Sequence, residues 1–290
     1  MVEAVSLAMM RTFSARLRFL VPVVLLAFAT SCDDTAPTPE ALNLALGNPS
    51  GATSDVNQPN NYLLTRPEYA LSYHRSRGIP NWVSWHLAAN DLGTAPRQDN
   101  FRADNALPAG WYQVTASSYT GSGFDRGHHC PSADRTASSA SNSATFLMTN
   151  MLPQAPNLNQ RTWADLEEYC RTLVRNGNEL YIIMGSYGTG GTGSQGADNT
   201  IDQGRVTVPA RVWKVVVVLP AGQHDPEEVT SSTRVIAINA PNQNSVGAAW
   251  GNYRTTVDAL EAATGLDLLS AVASGVQATL EARVDTGPTQ

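Results

Sequence analysis

The chain has 290 residues, 42% of them hydrophobic and 15% charged, with a formal net charge of −6. That length allows one large domain or two small ones, and the composition excludes an intrinsically disordered chain, which lacks the apolar residues for a core. The acidic balance weighs against binding a polyanion by overall attraction, because such binding leaves a basic footprint.

Residues 1–32 read as a secretory signal and not as fold. Arg11, Arg16 and Arg18 precede the apolar run 19–29, which is too short for a membrane-spanning helix and is followed by Thr30-Ser31-Cys32. Small residues leading into a cysteine resemble the lipobox of bacterial lipoproteins. Cys32 is therefore the candidate lipidation site, and export from a bacterial cell is expected, with the protein either membrane-anchored or secreted. Of the 19 basic and 25 acidic side chains, three Arg and one Glu lie in this segment, so the rest carries a net charge of −8. Residues 33–60 are rich in Pro, Ser, Thr and Asn without apolar periodicity and read as a flexible linker.

A folded domain is expected over 61–275, followed by a C-terminal tail, 276–290. Strands are predicted at 69–74 and 82–87, then a long loop, 88–122. A helix follows over 160–176, where Trp163, Leu166, Cys170, Leu173 and Val174 recur at steps of three and four behind Asn159 as N-cap. Beyond a strand at 179–185, the Gly-rich stretch 188–198 lacks the Gly-Lys-Ser/Thr ending of a phosphate-binding loop and reads as flexible surface. Strands at 210–220 and 233–241 and a helical stretch over 255–272 complete a mixed domain.

The stretch "GFDRGHHCP", 123–131, holds more polar chemistry than a turn requires, since turn geometry is met by Gly, Pro, Asn, Asp and Ser. Downstream, Asn150, Asn157 and Asn159 sit among prolines, and Trp163, Glu167 and Arg171 follow at steps of four on one helix face. A histidine that takes a proton near pH 7, an amide ligand for a hard cation, a carboxylate and guanidiniums are the inventory of phosphodiester hydrolysis. The same residues also admit plainer roles: Glu167 with Arg171 as an i,i+4 ion pair, Asn159 as a cap only. Zinc is disfavoured, because three adjacent residues, "HHC", are poorly placed around one tetrahedral ion.

"DRGH" at 125–128 and "TNMLPQAPNLNQRTWADLEEYCR" at 149–171 resemble the non-specific DNA/RNA endonuclease family, which includes mitochondrial endonuclease G and the sugar-nonspecific nucleases secreted by bacteria. Looser similarity runs over most of 65–270. The resemblance implies an α+β fold of the His-Me finger (ββα-metal) type, with a central, mainly antiparallel sheet flanked by helices. It also implies a Mg2+-dependent endonuclease, with Mn2+ as a substitute ion and DNA and RNA as substrates. His128 takes the place of the general base that activates water, and Asn159 that of the direct ligand to a single magnesium ion. Glu167 corresponds to the residue that reaches the ion through water, and Arg171, Arg126 and Asn150 match further active-site positions. For an upstream arginine Arg97 and Arg102 compete, with Arg102 preferred. Eight residues of helix rise roughly 12 Å, so Asn159 and Glu167 are not both direct ligands of one small ion.

With Cys32 lipidated or removed, Cys130 and Cys170 form an even pair in an exported domain, and a disulfide between them is expected. The acidic charge keeps a second function class open, an exported nuclease-like lipoprotein that binds nucleic acid or a surface partner without catalysis. Intact His128, Asn159 and Glu167 favour the enzyme.

Overall fold

The computed structural model describes Met1 and residues 37–222 and 226–290. The expected signal segment beyond Met1, with Cys32, lies outside the described residues. The centre of the fold is a seven-stranded antiparallel sheet. Its strands are β1 (Tyr62–Thr65), β2 (Ala70–His74), β3 (Ile79–Leu87), β6 (Asn178–Tyr187), β11 (Arg211–Pro220), β12 (Arg234–Pro241) and β13 (Arg254–Thr255), in that spatial order. A separate pair, β4 (Asp125–His128) with β5 (Met151–Gln154), lies between β3 and β6 in the chain.

Both faces of the sheet are buried, so its middle strands are apolar throughout rather than alternating. Along β11, Val212 and Val216 enter one core while Trp213, Val215 and Val217 enter the other. Period-two geometry places Lys214 with the first set, facing Trp85 and Trp163. That face is covered by the β4–β5 pair and by helix α3 (Ala164–Arg175). The opposite face is covered by Leu46 and Ala52 and by helices α4 (Val257–Thr264) and α5 (Ser274–Glu281).

Four sequence expectations need correction. Residues 37–60 are packed rather than a linker. After the short helix α1 (Pro39–Leu42), buried Asn43 donates to the Arg66 carbonyl at 3.0 Å and accepts from His86 N–H at 3.1 Å. Amide side chains fasten this segment to the sheet edge, which an apolar-periodicity reading does not detect. The C-terminal stretch is also fastened: Leu280 is buried, and Asp285 accepts two bonds of 2.9 Å from the Arg234 guanidinium. The helix expected over 255–272 is broken at Gly265, which takes the left-handed conformation (φ 73°) and caps α4.

The Gly-rich stretch is the fourth. Its hairpin β7 (Gly191–Gly193) and β8 (Gly196–Asp198) is held to the start of β4 by Ser194 N–H donating to the Gly123 carbonyl at 2.9 Å. A Cβ on Gly193 would lie 2.4 Å from that carbonyl, so the glycine serves close packing there and not flexibility. Two further short strands, β9 (Thr200–Ile201) and β10 (Val206–Thr207), pair beside it, and the small helix α2 (Ser139–Ala144) lies between β4 and β5 in the chain.

Candidate active site

His128 ends β4 opposite Met151 of β5. The hairpin is drawn so close at Gly127 that a Cβ would meet Gln154 Oε1 at 2.2 Å, which is why glycine stands inside the motif. Alternation along the strand puts Arg126 and His128 on one side. The imidazole packs edge-on against Phe146 at 5.0 Å and beside Phe101 at 5.6 Å. The same two rings carry guanidiniums, Arg126 over Phe101 at 4.0 Å and Arg97 over Phe146 at 4.9 Å. His128 is half-buried, and its Nε2 is sealed without a hydrogen-bond partner. Burial first, then the charges of Arg97, His129 and Arg126, push the ring down to about 3, so it is neutral at physiological pH.

An open cleft of about 370 Å³ lies beside this strand, lined by Arg97, Arg126, Asp125, Asn159, Gln160 and Tyr119 among others. A larger hollow of about 570 Å³ by Tyr169 and Trp250 contains none of the candidate site residues. Asn159 lies in a π-helical turn, Leu158–Trp163, that leads into α3. Its side chain caps nothing: Nδ2 donates to Asp125 Oδ2 at 2.8 Å, and Gln160 Nε2 donates to the same oxygen at 2.8 Å. A carboxylate only accepts, so this bond fixes the amide orientation and leaves Oδ1 as the end for a cation. One amide oxygen with a carboxylate alongside suits a small hard ion that keeps most of its water.

Arg97, and not the preferred Arg102, lines the cleft. Arg97 Nη1 donates to Ser132 Oγ at 2.8 Å, whereas Arg102 Nη1 donates to the Ser143 carbonyl at 2.8 Å, at the end of α2. Asn150 is also not a cleft residue. It is fully buried, its Nδ2 donates to the carbonyls of Cys130 (2.8 Å) and Thr145 (2.9 Å), and its Oδ1 accepts from Cys130 N–H at 3.0 Å. It pins the end of the histidine strand. His129 is buried with Nδ1 3.0 Å from the Asn150 carbonyl, and burial holds it down to about 3, making it structural.

Glu167 and Arg171 do not pair with each other. Glu167 Oε1 lies 3.5 Å from Lys214 Nζ, and burial raises the carboxyl while Lys214 opposes that. Arg171 is buried and donates to Asp134 Oδ1 at 2.9 Å, and Asp134 Oδ2 accepts from Trp85 Nε1 at 3.1 Å. Neither lines the cleft. They join a buried charged network with Lys214, which also acts on His129. Lys214 is the chain's single lysine, and the sequence reading missed it, although its place in an apolar strand was a signal that could have identified a buried cation. Asp134 had no such signal, whereas Asp125 opens "DRGH" but had been given no role.

Cys130 and Cys170 are free thiols, which corrects the expected disulfide. Both are buried in the same core, and Cys170 shares the inward face of α3 with Leu166 and Val174. Burial raises both, Cys170 up to about 12, so they pack as small apolar side chains.

A hairpin ending in a histidine, followed by a helix bearing an amide ligand, against an antiparallel sheet, defines a nuclease of the His-Me finger class. Residues 48–275 match the family model described as DNA/RNA non-specific endonuclease. A nuclease of Nostoc sp. is 51% identical over 245 residues, covering 84% of this chain and 86% of the relative. Human mitochondrial endonuclease G is 32% identical over 211 residues, 70% of this chain and 68% of the relative. A crystal structure of an EndoG/EndoGI complex aligns with a TM-score of 0.67 at 22% identity, covering 83% of this chain and 95% of that one. The chain belongs to the DNA/RNA non-specific endonuclease family, hydrolases that depend on a metal ion.

Proposed function

We propose that the chain is a Mg2+-dependent endonuclease that cuts DNA and RNA without base preference, with His128 as the base. The observation that carries this reading is a neutral imidazole packed against the two rings that hold Arg97 and Arg126, both of which line the cleft with the free amide oxygen of Asn159. Arg97 and Arg126 bind the phosphate oxygens, and guanidiniums suit that planar contact. Because Nε2 is sealed, Nδ1 takes the proton from water. The water oxygen bonds to phosphorus, and the P–O3′ bond breaks, giving a 5′-phosphate and a 3′-hydroxyl. Asn159 and, through water, Glu167 would hold magnesium, which supplies positive charge to the developing oxyanion. A site that reads phosphates carries little base information, hence cleavage of both DNA and RNA. The apolar run and Cys32 in residues 1–32 support export, with an anchor at Cys32.

Removing the base and returning it as a small molecule tests the assignment. His128→Ala lowers cleavage about 10² to 10⁴-fold without loss of folding, and imidazole restores part of the rate. A variant that cuts at the wild-type rate overturns His128 as the base.

A further inference from the structure

Far along the chain from the motif residues, α4 and α5 bring three carboxylates together. One oxygen each from Asp258, Glu261 and Glu281 lies within 4.8 Å of the other two. Such clusters are common on surfaces, where water keeps the charges apart, but this one reaches inward. Glu281 is 6% exposed, and its Oε1 is sealed from solvent with no hydrogen-bond partner. A buried carboxylate oxygen with no donor is costly unless something positive meets it. Gln277 and Glu261 hydrogen-bond with the Glu281 side chain, but Oε1 has no partner, and the charges weighing on Glu281 are themselves acidic, Glu261 first and then Asp258 and Asp267.

The backbone holds these groups firmly. Glu261 Oε1 accepts from Leu268 N–H at 2.7 Å, so the turn after α4 fixes one ligand. Asp258 sits three residues earlier on the same helix, and so points the same way. Glu281 is the last residue of α5, next to buried Leu280. We propose that Asp258, Glu261 and Glu281 form a Ca2+ site that joins α5 to α4. Calcium accepts several carboxylates in irregular geometry and completes its shell with water, whereas magnesium demands a regular octahedron and avoids cages built of protein ligands. Three carboxylates, one of them exposed, correspond to weak affinity, roughly 10⁻⁴ to 10⁻³ M.

The test is thermal melting of the whole chain in constant Mg2+, which loads the nuclease cleft, with Ca2+ added to millimolar excess. Wild type gains roughly 5 °C from calcium. Glu281→Gln and the exposed substitution Asp258→Asn each lose that gain while keeping Mg2+-supported cleavage. Calorimetric titration of Ca2+ into each variant loses one binding event. No calcium-dependent gain in wild type overturns the site. A gain of wild-type size in Asp258→Asn, which is too exposed to endanger folding, overturns it as well, because the ion then binds elsewhere.

Discussion

Arg97 and Arg126 act on His128 in two opposed ways. In the free protein their charges add to burial in holding the imidazole down to about 3, so the ring is neutral but a weak base. In the proposed reaction a bound phosphodiester would neutralise both guanidiniums and so make the ring more basic where it is needed. As the proposed base His128 must be neutral to work, so its titration should set the acid limb of the rate profile. That limb should lie at higher pH in kcat, which reports the complex, than in kcat/KM, which reports the free enzyme. Coincident limbs would remove the arginines from this role. Arg97→Ala should lower kcat/KM at least tenfold while Arg102→Ala changes it little; equal losses would restore Arg102 as a phosphate contact. His128 stood out because histidine pairs have no use in a turn, while its proposed role as base came from the family resemblance of "DRGH". The choice between Arg97 and Arg102 was not, because the loop over 88–122 has no period to tell which arginine turns inward. Asn150 misled for a related reason: a buried amide satisfying backbone groups has the same sequence appearance as one facing a substrate.

The π-helical turn at Leu158–Trp163 is the element that would set the proposed metal site. Such turns insert a residue into the helical ladder and are frequent at functional sites. Here the turn carries Asn159 and Gln160 to Asp125, at the start of the histidine strand, so hairpin and helix are joined by two hydrogen bonds to one carboxylate oxygen. Because Asn159 alone should touch the ion, Asn159→Ala should raise the magnesium needed for half-maximal rate about 10 to 100-fold. Glu167→Gln should act mainly on the maximal rate, and equal shifts of the two magnesium curves would show that both residues act through water. Apolar steps of three and four located α3, yet the π-turn was not legible, since it depends on a partner 34 residues away. The charged layer behind α3 makes its own prediction. Lys214→Met leaves Glu167 without its cation and should cost about 3 kcal/mol in urea unfolding. Lys214→Met with Glu167→Gln should recover most of that loss. A double variant as unstable as the single would show that Lys214 acts through packing on Trp85 and Trp163 instead.

For the whole molecule, the net acidic charge and the nuclease fold are compatible because the positive groups are local. Arg97 and Arg126 reach the cleft, while acidic groups such as Asp258, Glu261, Asp267 and Glu281 gather at the α4–α5 end. Five of the seven sheet strands were readable from short β-type runs, while β1 and β13 were too short to stand out, and the family was readable from the spacing of "DRGH" and "LNQ". The packing of 37–60 and of the C-terminal stretch was not, since both are fastened by Asn, Arg and Asp bonds to distant backbone and not by a periodic face. The central claim is that this acidic chain cleaves polynucleotides at a metal-dependent site that reads phosphate and not base. The most direct test incubates the whole protein with supercoiled plasmid and with single-stranded RNA, each in magnesium and in chelator. The expected result is relaxation and degradation of both substrates in magnesium, with no base preference among the ends, and none in chelator. Binding of both substrates without cleavage in magnesium, or cleavage that chelator leaves untouched, would contradict it.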